Sequence, residues 1–258
     1  MSELREILRQ QRAKRRWSQE QAGAAINVSA SLIAAIETER IIPQDDTARA
    51  LDELFGTGDQ IQRATEAARE DARPPWLRPW TDHEHRAVLL RTWEPHLIPG
   101  LLQTDAYTRA VLRGSRLPVK AVEKTTQVRQ DRQAATVDGP EPPMLSAIIG
   151  EAALNCGPPE VLKGQLQHLL EMTDLPHVQV LVVPWTAGLH AGLSGAFVIA
   201  TLPQRGRAGY VDDQLRGRLV TEAGDLDQLE VSWEIVTGLA LPVHLSRELI
   251  AGRIKDHD

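Results

Sequence analysis

Prolines at 74, 75 and 79 divide this chain in two. Each lacks an amide donor and pushes the residue before it out of helical geometry. The stretch Ala72-Arg-Pro-Pro-Trp-Leu-Arg-Pro-Trp80 therefore reads as a domain boundary. The chain has 258 residues, and a single domain usually has about 100 to 200. Residues 1–72 and 73–258 are thus expected to fold as separate domains.

Before the prolines the pattern is one of short helices with terse connections. Leu4, Ile7 and Leu8 place an apolar stripe on a first helix. Ser18 followed by Gln21 is a capping box that opens a second, with Ala22, Ala25 and Ile26 inward. Asn27, which tolerates left-handed backbone, stops it. Ser29 caps a third helix with Ile33 and Ile36 inward, and Ile41, Ile42 and Pro43 end it. Asp46 is expected to cap a fourth, with Ala48, Leu51, Leu54 and Phe55 inward and Gly56 closing it. A fifth, about 58–71, shows Ile61, Ala64, Thr65 and Ala68.

A capped helix pair joined by a tight turn is a helix-turn-helix, whose second helix enters the DNA major groove. The segment from Trp17 to Glu37 resembles the XRE/Cro type of this motif. The resemblance implies that Gln19 touches a phosphate and that the outer side of the third helix reads bases. That side offers Ala30, Ser31, Ala34, Ala35 and Thr38, with Ser29 at its start and Arg40 beyond its end. Glu39 stands where such proteins commonly have Gly. The residues are small, whereas base reading favours forked donors and acceptors. Specificity then falls to Ser and Thr contacts, methyl contacts, Arg40 or DNA shape, and dimerisation is expected to compensate for weak monomer binding. Residues 1–16 carry Arg5, Arg9, Arg12, Lys14, Arg15 and Arg16 against Glu3 and Glu6, net +4, while residues 17–70 are net −6. The first helix and its end, Arg15 and Arg16 above all, are therefore the expected phosphate contacts.

Beyond the prolines the pattern mixes types. A helical-looking region spans 81–135, and the proline-rich segment 138–143 must be a loop. Strands are expected at Leu145–Ile149, Val178–Val183, Ala196–Thr201 and Gly209–Val211. Helices are expected at about 159–173, 225–240 and 245–255. The fold class is an all-α helix-turn-helix domain followed by a mixed α/β (α+β) domain. From Trp76 onward the chain resembles the DUF5753 domain that accompanies XRE modules in actinobacterial regulators. The matching runs are Trp76–Trp80, Arg91–Tyr107 and Val183–Phe197. The resemblance implies a transcription regulator, often encoded beside a small DUF397 protein that can bind it; it supplies no reaction or ligand. Trp93, Gln103 and Tyr107, with Trp185, His190 and Ser194, are the candidates for a ligand or partner contact. Core packing for the first run and a structural loop for the second are the alternatives.

Catalysis is not expected. Ser194, His190 and Asp212 supply the residue types of a hydrolase triad, but Gly192-Leu-Ser-Gly195 lacks the spacing of a nucleophile elbow. His83, His85 and His96 lack the strand that would aim them at one metal. The lone Cys156 reads as packing, and no Walker-type loop is present. No cofactor or metal is expected. The net charge, 29 Lys and Arg against 35 Asp and Glu, excludes a nonspecific nucleic-acid coat, so DNA binding must be local. The charged N-terminus lacks a signal-peptide core, and no run reaches membrane-span length, so the expected location is the cytoplasm. These observations imply a homodimeric regulator of operator DNA whose second domain senses a small partner protein or ligand. An antitoxin-like interaction protein with vestigial base reading is the alternative.

Overall fold

A computed structural model describes residues 3–72, 77–212 and 217–256. The prolines at 74 and 75 and Trp76 of the expected boundary lie outside the described residues. The chain divides into two compact units, one of residues 1–74 with 117–128, the other of 75–116 with 129–258. Among the described residues, no helix is long and apolar enough to cross a membrane.

The first unit opens with α1 (Glu3–Lys14), α2 (Gln19–Ala25), α3 (Ala30–Glu37), α4 (Asp45–Phe55) and α5 (Gln60–Ala72). Leu4, Leu8, Ala22, Ile33, Ile36, Ala48, Leu51 and Ile61 form its core. The Ser18 hydroxyl accepts from the Gln21 amide at 3.1 Å, and the Ser18 amide donates to Gln21 Oε1 at 2.8 Å. The Ser29 hydroxyl accepts from Leu32 N–H at 3.2 Å. Asn27 sits at φ 57° and Gly56 at φ 67°, the left-handed positions that end α2 and α4. Two expected boundaries move. The fourth helix is entered through Gln44 rather than Asp46, which leaves Asp45 and Asp46 in the first turn, where the helix dipole favours acids. The third helix stops at Glu37, with Glu39 at φ 58°, so Ile41–Pro43 belong to the connection that follows.

The second unit contains α6 (Arg78–His85), β1 (Leu89–Glu94) and α7 (Asp105–Gly114). The helix α8 (Val119–Thr136) is divided by residue between the two units. Then follow β2 (Met144–Gly150), α9 (Pro159–Met172), β3 (Val178–Val183), β4 (Phe197–Thr201), β5 (Arg207–Asp212), β6 (Gly217–Val220), α10 (Ala223–Leu239) and α11 (Val243–Lys255). The strands make one sheet in the order β3-β2-β1-β4-β5-β6, parallel from β3 to β1 and antiparallel from β1 to β6. The expected helical region 81–135 therefore contains a central strand. Its sequence, Leu-Leu-Arg-Thr-Trp-Glu, looks too polar for that place. Arg91 is accommodated because Glu230 of α10 accepts two hydrogen bonds from it, at 2.5 and 2.7 Å.

Side chains alternate across the sheet. Leu90 of β1 joins Ala147, Val180, Ala200 and Ala208 in a cluster with Tyr107 of α7 and Leu162, Leu166 and Leu169 of α9. Trp93, one step out of phase, joins Phe197, Ile199, Ile148 and α10's Trp233 and Val236 in a second cluster on the opposite face.

Candidate nucleic-acid interface

The first unit's interface is organised by a buried ion pair. Leu4 and Leu8 continue at four-residue spacing to Arg12, and Ile33 continues to Glu37, so both charges follow buried stripes inward. Glu37 is 4% exposed. Its oxygens accept from Arg12 Nε at 2.7 Å, Arg12 Nη2 at 2.9 Å and Gln19 Nε2 at 2.8 Å. Arg12 also donates to the Trp17 carbonyl at 2.8 Å. Burial by itself raises the Glu37 carboxyl, but the bonds from Arg12 and Gln19 outweigh it and hold the carboxyl below its ordinary range. One carboxylate thereby ties α1, α2 and α3 together and fixes how α3 is presented.

The residues expected to meet DNA fall into four groups. Ser29, Ser31 and Thr38 are exposed along α3, and Arg40 is exposed beyond it. Ala35 is corrected: at 2% exposure it belongs to the interior, and its carbonyl accepts the Arg40 amide at 2.8 Å. Arg15 and Arg16 are exposed at the end of α1. The Arg15 guanidinium lies 5.3 Å from the ring centroids of both Trp17 and Phe55, which restrains a long side chain by cation–π contact. Gln19 is half-buried and held by Glu37, so its carboxamide is positioned rather than mobile. Arg12 is withdrawn from the phosphate-facing set by the same carboxylate.

The six residues expected to contact a ligand or partner do not form one site. Trp93, Gln103 and Tyr107 are buried, which corrects their expected place on a contact surface. Trp93 Nε1 donates to the Gly192 carbonyl at 2.7 Å, and its ring meets His190 edge-on at 5.7 Å between centroids. Tyr107 lies in the other cluster, across the sheet. Gln103 donates to the Ile98 carbonyl at 2.6 Å and accepts from Thr108 and Arg129 at 3.1 and 2.5 Å. By contrast, Trp185 is 67% exposed and Ser194 is also exposed, on the connection from β3 to β4. His190 is half-buried there.

A polar cluster that the sequence did not single out lies on the Tyr107 side of the sheet. Glu84 is fully buried and accepts from Arg132 at 2.6 and 2.7 Å and from Trp80 Nε1 at 3.0 Å. The pairing Thr92–Val198–Tyr210 puts Glu94 and Asp212, two residues further along β1 and β5, on that same face. Glu94 is half-buried and forms no hydrogen bond or ion pair among the described residues. Burial first, and then the charge of Asp212, push its carboxyl up to about 8 against the pull of Arg129. Burial and the neighbouring Arg132 draw Arg129 down to about 10. Burial likewise pushes the Tyr107 hydroxyl up to about 12. No local pattern signals this cluster, because Glu84 and Arg132 are 48 residues apart.

Comparison with known families agrees with both halves of this architecture. The model of a helix-turn-helix domain matches residues 3–65, the region built around the α2–α3 pair, and marks the first unit as a DNA-binding module. The model of a domain of unknown function, DUF5753, matches residues 77–252. No curated protein and no solved structure matches the chain. With that match spanning most of its length and nearly all of the sheet-bearing region, the chain belongs to the DUF5753 family.

Proposed function

We propose that the protein is a sequence-specific transcriptional regulator that binds operator DNA as a homodimer and whose second unit responds to a small DUF397-like protein or a ligand. The observation that carries the reading is the exposed face of α3, locked in place by the Arg12–Glu37–Gln19 network, together with exposed Arg9, Lys14, Arg15 and Arg16 on α1 and just beyond its end. A rigidly held helix reads a groove, and nearby cations pair phosphates and set register. Dimers of such modules contact half-sites about 34 to 36 Å apart. The partner arm draws support from the β3–β4 connection, where Leu189 is 97% exposed beside exposed Trp185 and Leu193. Exposed aromatic and aliphatic groups are common anchors in protein recognition.

The test is a salt titration of binding to an operator recovered by genome-wide DNA immunoprecipitation. Arg15→Ala with Arg16→Ala should weaken binding to all duplexes and flatten the slope of log affinity against log salt by up to about one unit per lost contact. An unchanged slope removes these arginines from the interface.

A second reading is kept by one observation: the outer face of α3 carries no forked side chain. On that reading the protein is antitoxin-like and acts chiefly by holding a partner. Immunoprecipitation that recovers the neighbouring protein but no discrete DNA sites would favour it.

A further inference from the structure

Glu94 and Arg129 carry opposite charges in one part of the second unit, and neither has an ion-pair partner among the described residues. Glu94 ends β1 and accepts no hydrogen bond from those residues. Arg129 Nη1 donates to Gln103 Oε1 at 2.5 Å, an uncharged acceptor. Each nonetheless feels the other's charge, so a gap stands between them that neither side chain closes. Arg132 lies alongside: a Cβ placed on Gly100 would lie 3.8 Å from Arg129 Nε and 4.0 Å from Arg132 Nη1. The Nε and Nη2 of Arg132 are taken by Glu84, which leaves Arg129 as the guanidinium of the two without a carboxylate.

The sheet leaves room at this place. β1 and β5 run in the same direction, with β4 antiparallel between them. β4 begins at Phe197, opposite Trp93 and Val211, so Glu94 and Asp212 stand one residue beyond it on either side. The residue between them in register is Ala196, which carries a single methyl group. Two strand spacings, about 9.6 Å, separate the two acids along the sheet. Glu94 and Arg129 each keep part of their surface in solvent, yet burial is the largest influence on both. A group mostly surrounded by protein but still touched by solvent sits in a recess.

A guanidinium withdrawn from water without a carboxylate, and a carboxyl without a donor, are each costly. A simple anion would satisfy Arg129 and be repelled by Glu94 and Asp212. A simple cation would satisfy the acids and be repelled by Arg129 and Arg132. A molecule that carries both charges answers both. We propose that this recess at the ends of β1 and β5 binds a free α-amino acid, with its carboxylate on Arg129 and its ammonium on Glu94 and Asp212. An α-amino acid holds its two charges one carbon apart, the scale of a gap between side chains that sense each other without touching. The planar guanidinium matches a carboxylate with paired N–H donors, and Gln103 positions it. The inference rests on the reading of the second unit as ligand-responsive and adds to it the site and the class of ligand.

The experiment titrates the full chain by calorimetry with each genetically encoded L-amino acid in turn. At least one should bind. Its amino alcohol, and the acid that lacks its amino group, should each bind at least about ten-fold more weakly, because each drops one charged contact. Arg129→Gln should weaken the amino acid by a similar factor and leave the amino alcohol nearly unchanged. The charged and titratable groups around Glu94 are Tyr107 of α7, Arg129 and Arg132 of α8 and Asp212 of β5. An ammonium beside Glu94 favours its ionised form, so binding at pH 7 should release up to about one proton, read from the heat in buffers of different ionisation enthalpy. Glu94→Gln should abolish that release, and thermal melting checks that both variants are folded. No binding by any amino acid, equal binding of the acid without its amino group, binding without proton release, or unchanged binding by a folded Arg129→Gln protein overturns the inference. Operator affinity measured with and without the bound amino acid tests the underlying reading separately: an unchanged affinity supports the site as a binding site and overturns only its regulatory role.

Discussion

Glu37 and Glu94 are both carboxylates withdrawn from water, one in each unit, and they end in opposite states. Glu37 is almost closed off from solvent, and three hydrogen bonds from Arg12 and Gln19 keep its carboxyl below the ordinary range. Glu94 keeps part of its side chain exposed, accepts no hydrogen bond among the described residues, and is pushed up to about 8 chiefly by burial. Burial raises both carboxyls; the donors that reach Glu37 reverse the shift, and no such donor reaches Glu94 among the described residues. The first unit uses its acid to lock three helices together, whereas the second holds one whose surroundings favour the protonated form.

The largest expected effect comes from turning the first case into the second. Arg12→Ala strands Glu37 as an uncompensated buried charge, which typically costs about 3 to 5 kcal/mol. Gln19 remains as a donor, so the loss should fall toward the lower end. Urea unfolding followed by amide exchange in α1 and α3 would measure it, and a loss under about 1 kcal/mol would mean that the pair does not hold these helices.

A pH series sharpens the same contrast because the two signs differ. Glu37 has a lowered carboxyl, so its contribution to stability is present above the ordinary carboxylate value and is lost as the pH falls through the folded-state value. The first unit should therefore weaken only in acid. Glu94 binds its proton more tightly when folded, so its contribution is complete below about 4.5 and is lost as the pH rises toward about 8. The groups that set this window are Asp212 of β5, which raises Glu94, and Arg129 of α8, which opposes it. Glu94→Gln should remove that slope and raise the second unit's melting temperature by a few degrees at pH 8, with little change at pH 4. An unaltered melting profile from pH 5 to 8 would show that Glu94 titrates as an ordinary surface acid.

The smallest expected effect separates the tryptophans of the second unit. Trp185→Ala should change folding stability by no more than about 0.5 kcal/mol, as exposed substitutions usually do, while weakening capture of a neighbouring DUF397-like protein. Trp93→Ala serves as the contrast, since truncating a buried Trp costs about 3 to 5 kcal/mol. Calorimetric melting of both, with a pull-down of the co-expressed neighbour, would decide. Full capture by a folded Trp185→Ala protein would remove that loop from the partner surface.

Features that act over a few residues were legible in the sequence. The Ser18 box, the Ser29 cap, the left-handed Asn27 and Gly56, and the β-branched run of β3 each depend on neighbours within about four positions. They suffice for the helix-turn-helix and for much of the sheet. What only the tertiary structure decided involves partners brought from far along the chain. Arg91 makes β1 a tolerable central strand because Glu230, 139 residues on, receives it. A one-residue difference in phase puts Trp93 and Glu94 on opposite faces of the sheet. The expected contact set of Trp93, Gln103, Tyr107, Trp185, His190 and Ser194 is thereby split into core and surface. Arg12 and Glu37 were visible only as charges continuing two apolar stripes. That they pair, and that Ala35 turns inward while Thr38 stays out, follows from how α1 and α3 cross, which no local preference determines.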